Sequence, residues 1–320
     1  MIPKEYYGRL LTEEQIPETY RSEALVLESM LKVDKEIKCK RCDSQIEQTW
    51  KLPDGRHYCR ACIVFGRNQE GKSLYYFPPR ETETELPLLK WSGELTPYQA
   101  EVSKKLLKTY QKQKDSLVHA VTGAGKTEMI YKIVAHVLEN KGRVAIASPR
   151  VDVCRELFLR LQKDFTCSIS LLHAESEPYD GSPLVIATTH QLLKFYQSFD
   201  LVIVDEVDAF PFVGNVMLNH AVEQAKTETG RYIYLTATST SSLEEQVRHG
   251  TLEKHHLARR FHGNPLVIPK FFWQGRLQKS LMRGKLPKSL VYQIKKQRKS
   301  KFPLLIFFPN IAIGEKFTSI

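Results

Sequence analysis

The chain has 320 residues, 42% of them hydrophobic and 26% charged, enough for about two domains with packed cores; this balance excludes a disordered or fibrous protein. No apolar run reaches the roughly 18 residues that span a bilayer, and the charged N-terminus lacks a signal-peptide core, so the expected location is the cytoplasm, peripheral to the inner face of the membrane at most. The net charge of +11 is uneven: Lys254 to Gly314 holds 14 Lys and Arg and no Asp or Glu, which leaves about −3 for the rest. Such a stretch fits a polyanion partner or a solvated face.

In chain order, residues 1–35 carry no motif. Residues 36–68 contain two pairs, "CKRC" (Cys39, Cys42) and "CRAC" (Cys59, Cys62), with sixteen residues between them. Two residues between cysteines let both thiolates of a tight turn reach one ion, and two such turns complete a tetrahedral Zn²⁺ shell, which predicts a zinc ribbon. With four thiolates there is no open position for water, so the expected metal is structural. The alternating segment around Asp54-Gly55 predicts a small hairpin. Lys38, Lys40, Arg41, Arg56 and Arg60, interleaved with Trp50 and Tyr58, suit nucleic-acid contact; a module that only shapes the domain or meets a protein fits equally.

A connector over 69–93, including "YYFPPRETETELP", leads into alternating strands and helices over 94–270. The core "AVTGAGKT" (120–127) sits between a strand and an amphipathic helix that stops at Gly142. Ala120 stands where the P-loop pattern has its first glycine. Thr122, Gly123, Ala124 and Gly125 supply backbone N–H groups to phosphates at the positive end of a helix; Lys126 would meet the β- and γ-phosphates and Thr127 the Mg²⁺. "FDLVIVDEVDAF" (199–210) reads as a buried strand ending in carboxylates: Asp205 would hold Mg²⁺ and Glu206 would polarise the attacking water. ATP, Mg²⁺ and Zn²⁺ are therefore the expected cofactors. Cys154 and Cys167, among apolar neighbours, are expected to be inert core thiols.

The ordered set "AVTGAGKT", "ASPRVDVCREL", "ATTHQLL", "DEVD" and "YLTATST" resembles the first motor domain of superfamily 2 helicases and translocases, in the broader DExD/H group. With a four-cysteine ribbon ahead of it, "GELTPYQ" before it and "DEVDAFPF" within it, the chain resembles the ComFA family, late-competence ATPases of bacterial DNA uptake. The resemblance implies an α/β fold, a RecA-like P-loop domain with a parallel sheet behind the ribbon, and the beginning of a second RecA-like domain. It also implies that Gln99 reads adenine, that Pro149, Arg150, Thr188, Thr189 and His190 grip a single-stranded DNA backbone, and that Thr236, Ala237 and Thr238 couple hydrolysis to movement. Implied partners are single-stranded DNA, a ComFC-like protein and a membrane DNA channel. A PriA-like replication-restart helicase is a neighbouring reading, but its ribbons usually use more cysteines and lie inside the second motor domain. A non-catalytic, zinc-stapled DNA-binding or scaffold subunit that binds ATP is a reading from another class.

Residues 271–320 form a basic linker followed by a helix and an apolar strand, "PLLIFF", as would start the second domain. Later motifs, including an arginine pair, do not follow, so a C-terminally truncated product with poor turnover is expected; arginine fingers are worth roughly 10³–10⁵ in rate. Phe271, Phe272 and Trp273 are expected in a core rather than as stacking platforms.

Overall fold

Segments Val144–Ser148 and Leu184–Thr188 are buried at every position, and Phe199–Asp205 at all but one. Strands without a polar face need cover on both sides, which a parallel sheet between helices supplies. The structure, a computed structural model, describes residues 1–33, 36–81, 86–263, 270–275 and 277–319. It comprises two compact units, Met1–Pro265 and Leu266–Ile320. The division expected at residue 35 and the Thr-Glu run 82–85 of the connector lie outside the described residues.

The first unit begins with β1 (Leu10–Thr12), the short helix α1 (Glu18–Arg21), β2 (Leu25–Glu28), β3 (Met30–Val33), β4 (Glu36–Cys39) and β5 (Ser73–Tyr76). β3 and β4 pair antiparallel, while β5 lies between β1 and β2. The N-terminal segment and the start of the connector thus meet in one small sheet around the cysteine module. The small hairpin expected at Asp54-Gly55 is present without extended strands: Gly55 N closes the turn on Leu52 O, Leu52 N donates to Arg56 O at 2.8 Å, Tyr58 N to Trp50 O at 3.1 Å, and Lys51 bridges His57.

The remainder of this unit runs α2 (Pro97–Gln111), β6 (Asp115–Ala120), α3 (Lys126–Glu139), β7 (Val144–Ser148), α4 (Val151–Asp164), β8 (Ile169–Leu172), β9 (Leu184–Thr188), β10 (Phe199–Asp205), α5 (Val216–Ala225), β11 (Lys226–Thr236), α6 (Ser241–Arg248) and β12 (Leu252–Leu257). The seven strands β6 to β12 form one parallel sheet in the order β12-β6-β11-β10-β7-β9-β8. This is a RecA-like helicase architecture. Strand alternation sorts the core: Val144, Ile146, Leu201 and Ile203 pack with residues of α2, α3 and α4, such as Leu106 and Ile133. Ala145, Ala147, Val202 and Val204 join Leu218 and Ala221 of α5, and Cys39, Cys42, Cys59 and Cys62 belong to that same apolar cluster. Each fully buried Val, Leu or Ile is worth about 1.5–3 kcal/mol relative to exposure. Gly8, at φ 75°, lies against Ser198 so closely that a Cβ there would collide with its side chain, and Tyr196 N donates to Gly8 O at 2.9 Å.

The second unit contains α7 (Leu277–Met282), α8 (Lys288–Arg298) and α9 (Ile311–Thr318). The helix expected before the final apolar run is present as α8. The strand is not: residues 303–308 form none, and no strand occurs among the described residues of this unit. A parallel strand needs a neighbouring ladder for its N–H and C=O groups. Instead Ile306 and Phe308 face an apolar pocket with Leu281 and Phe317. A second RecA-like domain is therefore not formed by these residues. Phe271 and Trp273 are 91% and 98% exposed, contrary to the core expected for them, because residues 270–275 form no element that could pack them.

Candidate nucleotide site and nucleic-acid edge

β6 delivers the chain to the sheet edge at Ala120, and residues 121–125 turn it into α3. Ala120 is fully buried as the last residue of β6, so a methyl fits where the P-loop pattern has glycine. Gly123 and Gly125 have φ of 78° and 72°, left-handed values that suit glycine. Ala124 N donates to Val121 O at 3.1 Å, and Val121 N to Leu257 O at 3.2 Å, which ties the loop to the end of β12. Thr122 is exposed; Lys126 and Thr127 are half-buried in the first turn of α3.

Gln99 comes from the N3 position of α2, where Thr96 caps and Pro97 opens the helix. Its amide is 2% exposed; Nε2 donates to Ala124 O at 2.8 Å, and Oε1 accepts from Thr96 N and Thr96 Oγ1, each at 2.9 Å. Here Gln99 braces the loop from behind.

β10 presents the acids. Burial pushes the Asp205 carboxyl up from its ordinary value, and the charge of nearby Lys126 opposes this. Its Oδ1 accepts Glu206 N at 2.9 Å. Glu206 has φ 56°, a left-handed conformation that strains a non-glycine residue by about 1–3 kcal/mol and is common at functional sites. Glu206 Oε2 is buried and accepts no hydrogen bond from the described residues, and it faces Arg150 Nη1 at 3.5 Å. Arg150 also pairs with Asp152 at 2.5 Å.

Asp208, the fourth residue of "DEVD", accepts the Thr238 hydroxyl at Oδ2. Burial would push its carboxyl up, but hydrogen bonds from Thr238 and Thr236 outweigh this and hold it below the ordinary value. Thr236 Oγ1 donates to Thr238 O at 2.7 Å and accepts Thr238 N at 3.0 Å. His119, just before Ala120, has Nε2 3.1 Å from Ala237 O. The three candidate coupling residues are therefore bonded to both the acidic tetrad and the strand that feeds the loop.

Register explains the convergence. Asp205 pairs with Leu235, Thr236 with His119, Ala147 with Val204, and Ser148 with Thr188. All these strand ends share one carboxyl edge, where open α/β sheets bind ligands. Pro149 and Arg150 leave β7 there, and Thr189 and His190 leave β9 beside them. Thr188 and Thr189 are buried, Thr189 Oγ1 having no hydrogen-bond partner among the described residues; His190 is half-buried, and burial lowers its pKa. Among these five residues Arg150 is the exposed cation.

In the N-terminal part of the same unit, the sulfurs of Cys39, Cys42, Cys59 and Cys62 lie within 4.8 Å of one another, all buried, with Cys39–Cys62 at 3.6 Å and Cys42–Cys59 at 3.5 Å. Zn–S bonds of about 2.3 Å in a tetrahedron place sulfurs about 3.8 Å apart, so the four residues fit Zn²⁺. Asn68 Nδ2 donates to Cys39 Sγ at 3.1 Å, an outer contact suited to a thiolate. Cys154 and Cys167 stand apart, and burial pushes them up to about 12 and about 11.

Competence protein ComFA of Streptococcus pneumoniae (strain ATCC BAA-255 / R6) is 53% identical over 316 residues, covering 99% of this chain and 73% of that protein. The chain belongs to the ComFA family. Competence protein ComFA of Bacillus subtilis (strain 168) is 33% identical, covering 95% of this chain and 68% of that protein. The DEAD/DEAH box helicase family matches residues 96–246, the span from the cap of α2 to α6. Among solved structures, the UvsW helicase from bacteriophage T4 overlaps at a TM-score of 0.43 with 13% identity, covering 54% of this chain and 64% of that one. A DEAD box protein from Methanococcus jannaschii overlaps at 0.40 with 14% identity, covering 53% and 56%. At that level the ComFA fold assignment rests on strand order and the matched segment.

One bond and one residue of this ComFA-family site escape a reading of motifs. Asp208 is visible as part of the tetrad, but its partner Thr238 is thirty residues away. His119 carries no local signal at all, because its role depends on β6 lying beside β11.

Proposed function

We propose that this chain binds ATP on loop 122–127 and hydrolyses it as a DNA-dependent, helicase-like motor that moves single-stranded DNA during competence, the process named for its relatives. The observation that carries this reading is the convergence of Lys126, Asp205 and Glu206 on one sheet edge, with Thr236, Ala237 and Thr238 bonded into it. Lys126 would hold the β- and γ-phosphates, and Thr127 and Asp205 would hold Mg²⁺, which when bound supplies charge neutralisation between the phosphates. Glu206, strained and lacking a hydrogen-bond donor at Oε2, is suited to orient and polarise the attacking water. Thr122, Gly123, Ala124 and Gly125 would cradle phosphate oxygens, with Gln99 behind them.

Single-stranded DNA would lie along the edge bearing Pro149, Arg150, Thr188, Thr189 and His190, where buried threonines leave backbone groups and Arg150 to meet phosphates. Zn²⁺ would pin residues 36–68 as a structural ribbon ahead of a motor domain over 94–270, with 271–320 as a basic extension. No helix among the described residues is long and apolar enough to cross a membrane. A membrane DNA channel and a ComFC-like protein are the proposed partners at the cytoplasmic face.

The test is steady-state phosphate release by the purified chain, with and without single-stranded DNA, beside Lys126→Ala and Glu206→Gln. DNA-stimulated turnover that falls at least about 10²-fold in both variants supports the reading. Nucleotide binding without turnover in any condition would leave the scaffold reading in its place.

A further inference from the structure

β12 ends at Leu257, whose carbonyl holds Val121, so residues 258–263 run beside the nucleotide loop. Phe261 N donates to Gly123 O at 2.9 Å, and Gly263 N closes a turn on Arg260 O at 3.1 Å. On one side Arg259 places its guanidinium carbon 4.5 Å from the centroid of Tyr98, the neighbour of Gln99. Between these anchors Arg260 passes the loop so that a Cβ on Gly123 would lie 4.0 Å from its Cγ. Its Nε is buried and donates to nothing, and it makes no ion pair among the described residues. The chain offers it no local acid, since none occurs from Lys254 to Gly314.

A buried donor without an acceptor is unfavourable; Arg9, Arg21, Arg41, Arg143 and Arg231 also bury an unpaired Nε, and what sets Arg260 apart is its place against Gly123 of the loop. Placed against a phosphate cradle, a guanidinium fork matches phosphate oxygens bidentately in a way that a lysine does not. We infer that Arg260 is a nucleotide-contacting residue, donating to the triphosphate of ATP seated on loop 122–127 from an element other than the one carrying Lys126. The inference rests on the proposed nucleotide site and adds to it a second cation, supplied in cis by the segment after β12. Arg259, stacked on Tyr98, is a positioning residue for that segment.

The experiment titrates the full chain with a fluorescent N-methylanthraniloyl ATP and Mg²⁺, comparing the unaltered protein with Arg260→Ala, Arg260→Lys and Lys126→Ala, each with its melting temperature. Arg260→Ala should weaken binding about ten-fold at unchanged melting temperature, with Arg260→Lys recovering part of it. If Lys126→Ala loses affinity while Arg260→Ala binds as the unaltered chain does, this inference fails and the nucleotide site stands. Tighter binding by Arg260→Ala would also overturn it, marking the segment as an obstruction. If the unaltered chain binds no nucleotide, the proposed site fails and this inference with it. Should Arg260→Ala not fold, phenylglyoxal modification of the unaltered chain decides: MgATP should slow the Arg260 adduct about ten-fold and adenosine should not, whereas equal rates refute the contact.

Discussion

Replacing Gly125 by alanine tests whether the loop is held in the shape that would receive phosphate. At φ 72° an L residue is disfavoured by about 1–2 kcal/mol. The new Cβ would also collide with Gln99 Nε2 and come within 3.1 Å of Glu128 Oε2. Gln99 is 2% exposed and its Nε2 bond to Ala124 O is only 2.8 Å long, so the amide has little room to yield without breaking that bond, a further loss of about 1–3 kcal/mol. Gly125→Ala should therefore destabilise the chain by about 2–5 kcal/mol, read from urea unfolding. Gly250 separates the two parts: it has φ 75° and nothing within 4 Å of an added Cβ, so Gly250→Ala should show only the backbone share. A Gln99→Ala, Gly125→Ala double variant should be less unstable than the two single losses added together, because the collision is removed. Equal losses for Gly125→Ala and Gly250→Ala would refute the close packing of Gln99 against the loop.

Thr238→Val removes the hydroxyl that Asp208 accepts; phosphate release should fall about ten-fold while nucleotide affinity, measured by fluorescence titration, stays within two-fold. His255, 4% exposed beside Thr109 and Ser116, has its pKa lowered by burial, so the unfolded chain takes the proton more readily and stability should decline as pH falls below about 6.5. His255→Asn should reduce the drop in urea midpoint between pH 7.5 and pH 5.5; an unchanged drop would place the acid sensitivity elsewhere, with half-buried His190 next in line. Metal analysis should find one Zn²⁺ per chain, and Cys59→Ser should lose it and lower the melting temperature by about 4 °C or more, taking at least ~2 kcal/mol lost at 2–4 °C per kcal/mol.

Much of this molecule could be read from local pattern because its signals are short-range. Glycine spacing between a strand and a helix marks loop 122–127, and two C-x2-C turns mark the cluster of four cysteines. Continuous apolar runs mark β7, β9 and β10. What stayed hidden depends on distant partners. The sheet of β1, β5 and β2 joins residues 45 to 66 positions apart, and neither flank shows a turn that would announce it. The brace from Gln99 to Ala124 required knowing that α2 lies against the loop. The apolar run 303–308 looked like a strand because composition alone cannot report whether a neighbouring ladder exists, and Phe271 to Trp273 looked like core for the same reason.

The cysteine module is not a bead on a string. Its sulfurs sit in the apolar continuum that holds Phe199 and Ala221, and Gln224 of α5 donates across to Arg41 O at 2.8 Å. The face of β10 that joins this cluster is covered by α5, and the module is bonded to α5 through Gln224. A disturbance of the module would therefore meet α5 first, and only through that helix the strand that ends at Asp205.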